Sequence, residues 1–131
     1  MVVEKYSPAY LRGIDSFNRG AYFDAHDCWE ECWIAEGRPA HGFFKGLIQA
    51  AVAMHHWSKG NLSGAQKLLA RCRECLAPCR PRRDSLDVEE LLDRMEVCIN
   101  SSAVDSPILR PFDPRRGPQI QLDPPAIALS E

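Results

Sequence analysis

The sequence lacks the features by which many membrane proteins and enzymes are recognised. No apolar stretch in its 131 residues reaches the roughly 20 that span a bilayer, and MVVEKYSPAY lacks the basic-then-apolar order of a signal peptide. We therefore expect a cytoplasmic protein. The chain also contains no internal repeat, glycine-rich phosphate loop, nucleophile elbow or paired C-x-x-C zinc motif, so several common enzyme classes lose support.

The chain also lacks a strong excess of charge of either sign. Sixteen basic and 18 acidic residues give a formal net charge of -2. Such a balance provides no global field that would attract nucleic acid or an anionic membrane, and we expect neither as a partner. We therefore consider a second copy of the chain or another protein as a partner.

Cysteine is abundant, with six residues. Cys28 and Cys32, and then Cys72, Cys75 and Cys79, recur at spacings of three and four within helical patterns. Small buried hydrophobic residues have the same spacing, so we interpret them as thiols of the core or of helix surfaces. The last three could offer thiolates to zinc or a cluster, but no fourth ligand is evident.

Capping residues and apolar spacing predict an all-α fold, a compact bundle of about five helices. The third helix is apolar on almost every side, which predicts that it is central. The predicted helices run from Ser7-Pro8 to Gly20, from Tyr22 to Glu36, from about His41 to Lys59, from Asn61 to the break at Pro78, and from Asp87 through Ile99.

The composition changes after the fifth helix. Six prolines lie between Pro107 and Pro125, without a helical period. We therefore predict a helical bundle domain over residues 1–103 and a proline-rich tail over residues 104–131, extended or partly disordered. The alternation of Ile120 and Leu122 could still lay this tail along the bundle.

The second helix sets ionisable residues among aromatic ones. An advance of about 100° per residue places His26 and Glu30 in one arc with Tyr22, Phe23, Trp29 and Trp33, and Asp27 at its margin. We therefore expect His26 and Glu30 to point toward the core. Because burial without partners costs several kcal/mol, they should be hydrogen-bonded, ion-paired or bound to a metal.

The third helix offers partners for this pair. Lys45, Gln49 and His56 share one stripe of that helix, and its short connection to the second helix predicts an antiparallel hairpin. Folding about Pro39 brings Glu30 near Gln49 in height and places His26 between Gln49 and His56. A cluster of His26, Glu30, Gln49 and His56 is therefore feasible, although spacing alone does not fix which way the stripe faces.

Two ordered strings carry a family resemblance. They are Gly13-Ile-x-x-Phe17-Asn18-x-Gly20-x-Tyr22-Phe23-x-Ala25-His26-Asp27-x-Trp29-Glu30 and Gly46-Leu-Ile-Gln49-x-Ala51 followed by His56. Over roughly residues 6 to 100 the chain resembles the microbial family called domain of unknown function 309. The resemblance implies a compact helical bundle without established biochemistry, and similar proteins have been labelled predicted metal-dependent hydrolases.

The matching positions are His26, Asp27, Trp29, Glu30, Gln49 and His56. Members of the family usually have glutamate where this chain has Asp27. Such a shortening matters if that carboxylate is a metal ligand.

These residues leave three hypotheses open, and whether the protein is an enzyme stays undecided. In the preferred one, His26, Glu30, Gln49 and His56 form a buried network that fixes helix register, while an apolar surface serves a partner or dimer. The second is a metal-dependent hydrolase in which His26, Glu30 and His56 bind zinc, iron or manganese, and Gln49 or Asp27 orients a water. The third is a small-molecule pocket lined by Trp29, Trp33 and Trp57.

Overall fold

The computed structural model describes residues 4–102 and 114–128, and these residues form an all-α bundle with two short strand pairs. None of the described helices is long and apolar enough to cross a membrane. The elements are β1 (Glu4–Tyr6), α1 (Pro8–Asn18), α2 (Tyr22–Ala35), α3 (Phe43–Ser58), α4 (Leu62–Leu76), β2 (Arg82–Arg83), β3 (Leu86–Asp87), α5 (Val88–Ser102) and β4 (Ala126–Ala128).

The predicted helix boundaries agree closely with the structure. Asn61 caps α4 by accepting a 3.0 Å hydrogen bond from the Gly64 amide, and Asp87 caps α5 by accepting one of 2.9 Å from the Glu90 amide. The clearest difference is at α3, which begins at Phe43 rather than near His41. Gly42 has a φ of 134°, which lies outside the helical region and delays the helix.

Helix α3 is the central element, as predicted. It packs against α2 on one side and α4 on the other, whereas α2 and α4 share at most marginal contact with each other. Most of its side chains are buried, from Phe43 at its start to Trp57 near its end. The apolar character of α3 on almost every side therefore reflects a helix enclosed by its neighbours.

Helices α1 and α2 meet at one close contact. Trp29 is fully buried, and its indole Nε1 donates a 3.1 Å hydrogen bond to the Tyr10 carbonyl of α1. A Cβ atom on Gly13 would lie 2.2 Å from that indole nitrogen, so only glycine leaves room for the ring. This contact gives a packing reason for Gly13 and Trp29 in the first of the two strings.

The segment after α5 returns to the bundle. Ile120 is buried in the same core as the helices, and Leu122 packs against it, as their alternation suggested. The Asn18 side chain donates to the Ile120 carbonyl at 2.8 Å and accepts from the Ile120 amide at 2.7 Å. Residues 103–113 and 129–131 lie outside the described part, so the domain boundary at residue 103 stays a prediction.

We predict that Gly13→Ala destabilises the protein by about 1–3 kcal/mol, because the added methyl group would displace the buried Trp29 ring. Chemical denaturation followed by circular dichroism measures the change in the free energy of unfolding. Asp15→Ala, at an exposed position of the same helix, is the control and should change it far less. Equal stability of Gly13→Ala and wild type would show that the contact is not tight.

Candidate functional site

The side of α2 that faces the core differs from the predicted one. The buried residues are Tyr22, Ala25, Trp29 and Cys32. Phe23 is instead 62% exposed, and the side chains of His26 and Glu30 are 25% and 44% exposed. The expectation that His26 and Glu30 point into the core is therefore wrong. The small residues Ala25 and Cys32, rather than Phe23, complete the buried face of α2.

His26 lies between two carboxylates of its own helix. Its Nδ1 is 3.1 Å from Asp27 Oδ1, and its Nε2 is 3.4 Å from Glu30 Oε2. The second contact is the i, i+4 pair that the sequence predicts. Because the imidazole faces an acidic group at each nitrogen, its orientation is restrained from both sides.

Phe23 lies between two imidazole rings. Its centroid is 5.6 Å from that of His26 on α2 and 5.7 Å from that of His55 on α3. Burial, together with the electrostatic effect of Lys59 and His56, lowers the pKa of His55 below its ordinary value, which favours the neutral imidazole. Neither Phe23 nor His55 is among the site residues predicted from the sequence.

A shallow depression of about 200 Å³ opens beside these rings, lined on α2 by Tyr22 and Phe23 and on α3 by His55 and Ser58.

The contact between Phe23 and His55 could have been predicted from the residue numbers of the two helices. In an antiparallel hairpin, the residue numbers of facing positions have a constant sum. A contact between Trp33 and Lys45 therefore places Phe23 opposite His55.

Gln49 and His56, the two members of the predicted network on α3, do not contact His26 or Glu30 through hydrogen bonds but have other neighbours. His56 Nδ1 lies 3.2 Å from the Asn61 side-chain nitrogen, at the start of α4. Gln49 Oε1 is buried, with no hydrogen-bond donor among the residues that the structure describes. Neither Gln49 nor His56 is hydrogen-bonded to His26 or Glu30, so the structure joins His26, Asp27 and Glu30 but does not close the larger network.

The positions of Glu30 and Gln49 along the axis of the α2–α3 hairpin nevertheless agree with the prediction. Lys45 Nζ lies 4.7 Å from the centre of the Trp33 ring, at one end of the α2–α3 hairpin. The contact between Phe23 and His55 marks the other end. Glu30 therefore lies opposite the turn of α3 that contains Gln49.

The three tryptophans differ in burial, although all of them belong to or pack against one hydrophobic core. Trp29 and Trp57 are buried in the core, whereas Trp33 is half-buried and donates a 2.8 Å hydrogen bond from its indole to the Pro39 carbonyl. Each ring therefore has a packing partner. The pocket predicted from Trp29, Trp33 and Trp57 stays a prediction.

The proposed metal ligands do not assemble into a three-ligand site. Across residues 4–102 and 114–128, no group of three or more histidine, cysteine, aspartate or glutamate side chains could hold a metal ion. His26 and Glu30 bring two donors together, but His56 faces Asn61. Because these residues do not fit the catalytic metal site implied by the resemblance, we derive no hydrolytic step from them.

The six cysteines are all free thiols. Cys72 donates to the Gly46 carbonyl at 3.3 Å, and burial raises the pKa of this thiol to about 12. It is therefore protonated at neutral pH and stabilises the contact between α3 and α4. Cys75 Sγ lies 3.7 Å from His41 Nδ1, in the same region.

Comparison with known families identifies the helical core. The model described as "Domain of unknown function (DUF309)" matches residues 10–68. The chain is therefore similar to the DUF309 family over these residues. They cover most of α1, all of α2 and α3, and the first half of α4, so the DUF309 match contains Phe23, His26, Asp27, Glu30, Gln49, His55 and His56.

Two curated relatives are similar to the chain over most of its length. An "Uncharacterized protein" of Aquifex aeolicus is 23% identical over 93 residues, which cover 70% of this chain and 28% of that protein. "Uncharacterized protein YpuF" of Bacillus subtilis is 33% identical over 95 residues, which cover 70% of this chain and 55% of the relative. The chain thus spans about half or less of the length of these two relatives, and no solved structure matches it.

We predict that the purified protein carries well under one zinc, iron or manganese ion per chain, because His26 and Glu30 supply only two converging donors. Elemental analysis of protein purified without chelator measures the occupancy. His26→Ala serves as the matched variant. About one ion per wild-type chain, lost in His26→Ala, would contradict this prediction and restore the case for metal chemistry.

Proposed function

We propose that this protein is a binding module that engages a protein partner through the outer face of α2 and α3. One observation supports the proposal above the others. Phe23 exposes 62% of its surface although it belongs to a well-packed helix and is held between His26 and His55. Large aromatic residues fixed at the surface are typical anchors of protein interfaces.

The fixed position of the Phe23 ring favours binding. A side chain already held in one orientation loses little conformational entropy when a partner covers it. The contacts of His26 with Asp27 and Glu30 hold one of the two rings that pack against Phe23. In this proposal the polar group orders a surface, rather than fixing helix register from within the core.

The exposed side of α2 also combines apolar and acidic residues. Ile34 is the second large exposed hydrophobic residue of this helix, and Asp27 and Glu30 lie between it and Phe23 at spacings of four, three and four. These residues form one stripe along α2. Apolar anchors at both ends and acidic groups between them favour a partner that is partly apolar and basic.

The proposal sets the protein in the cytoplasm. Six free cysteines in one small chain support this placement, because free thiols persist in a reducing compartment. The balanced charge supports a protein partner rather than nucleic acid or a membrane surface.

We expect Phe23→Ala to weaken partner binding by about tenfold or more while leaving the unfolding free energy nearly unchanged, because the ring is mostly exposed. A photo-crosslinking amino acid at Glu31, an exposed position about two turns further along α2, would first identify the partner in cells. Titration of the purified partner with wild type and variant would then measure the affinity.

Val97→Ala is the matched control, since Val97 is a similarly exposed apolar residue on α5. It should leave the affinity unchanged. Equal affinities of wild type and Phe23→Ala for the identified partner would refute the proposed surface.

A further inference from the structure

The helices on either side of α3 carry opposite charge. Helix α2 has four acidic residues, Asp24, Asp27, Glu30 and Glu31, and no lysine or arginine. Helix α4 exposes Lys67 and Arg71, one turn apart, with one acidic residue, Glu74, on the next turn of the same stripe. Neither Lys67 nor Arg71 has an ion-pair partner within residues 4–102 and 114–128. The third cation of α4, Arg73, is instead paired with Glu96 of α5 at 2.6 Å.

Between these two charged helices, α3 presents a partly open stripe. Its members are half-buried and recur at spacings of four, three and four: Lys45, Gln49, Val52 and His56. Because the order of their contacts makes α2 and α4 both antiparallel to α3, they run in the same direction on its two sides. The result is a three-helix face with an acidic edge and a basic edge.

The charges on the two edges lie at similar heights along α3. On the α2 side, Trp33 is level with Lys45 and Phe23 with His55, which places Glu30 near residue 48 and Asp27 near residue 51. On the α4 side, Gly46 packs against Cys75 and His56 against Gly64, which places Arg71 near residue 50 and Lys67 near residue 53. Glu30 and Arg71 therefore differ in height by about 3 Å, as do Asp27 and Lys67.

Within one chain these groups are too far apart to pair. Two interhelical spacings of about 8–10 Å separate α2 from α4. The acidic and basic edges thus have complementary charge and matching heights, but each needs an opposite edge from elsewhere.

We propose that the partner of this face is a second copy of the chain, an inference that rests on the proposed function. A two-fold axis parallel to α3, between two faces in contact, sets α2 of each copy over α4 of the other. Because α2 and α4 run in the same direction, Glu30 meets Arg71 and Asp27 meets Lys67, and symmetry repeats both pairs. Phe23 then lies at the height of Gly64, near the start of the partner's α4.

The size of the face sets the strength of this dimer. Helix α3 has 16 residues and is about 24 Å long, and the three helices together are about 20 Å wide. Joining two such faces would bury on the order of 1,000 Å², near the lower limit for a specific interface. The dimer is therefore weak and reversible, with a Kd in the micromolar range and a marked dependence on salt.

Sedimentation velocity over a range of protein concentrations tests the proposal. We expect a monomer–dimer equilibrium in low salt, with a Kd about tenfold weaker in high salt. Glu30→Lys and Arg71→Glu should each weaken the dimer by about tenfold or more, because each places like charges opposite one another at two symmetric sites. The double variant restores opposite charges and should bring the Kd back to within about threefold of wild type.

Asp93→Lys is the matched control, since it reverses an exposed charge on α5 and should not alter the Kd. Circular dichroism establishes that each variant is folded, and the salt dependence of the wild type requires no variant. A chain that stays monomeric up to about 0.5 mM, or single variants that dimerise like wild type, would overturn the dimer. If the double variant does not regain a Kd near that of wild type, the pairing of Glu30 with Arg71 is overturned.

The two proposals fail separately. If the chain is monomeric, but crosslinking from Glu31 identifies another protein whose affinity depends on Phe23, the dimer is overturned and the binding module stands. If the crosslinked partner is the chain itself and its self-association depends on Phe23, both are supported.

Discussion

The rotation of α2 about its own axis depends on the burial of Trp29 against Gly13. With the indole between α1 and α2 and its N–H bonded to the Tyr10 carbonyl, α2 can present only one side to the core. Tyr22, Ala25 and Cys32 follow Trp29 inward. Phe23, His26 and Glu30 are consequently turned toward α3 and solvent. Packing on the buried side of α2 thus determines which residues its other side exposes.

The fold was largely predictable because its signals are local. Asn61 and Asp87 mark helix starts through their own side chains, and the nearly uniform apolar character of α3 marks the centre of the bundle. The return of Ile120 to the core was visible only as a weak alternation. Its position depends on Asn18, about a hundred residues earlier, and no local pattern encodes such a contact.

The candidate site was predictable only in part. The i, i+4 geometry of His26 and Glu30 follows from helical spacing, and so does their height relative to Gln49. Their exposure does not, because hydrophobicity ranks Phe23 as an inward residue above Ala25. The small size of Ala25 and Gly13, which lets the helices approach, outweighed the larger apolar surface of phenylalanine.

The partial exposure of His26 changes the meaning of its contacts. An ion pair sealed in the core must compensate a large desolvation cost, whereas a half-exposed one is screened and contributes little to stability. The carboxylates beside His26 therefore matter more for orienting the imidazole, and through it Phe23, than for holding the bundle together.

The parallel pairing of β1 and β4 brings distant parts of the chain to one edge. Glu4 is in register with Ala126, so the polypeptide enters and leaves the fold at neighbouring points. A unit with this geometry can be spliced into a surface loop of a larger protein without stretching either connection, and its helices need not rearrange. The same edge would let Glu4 and Ala128 be joined by a short peptide and new ends be opened elsewhere, which suits the bundle to circular permutation.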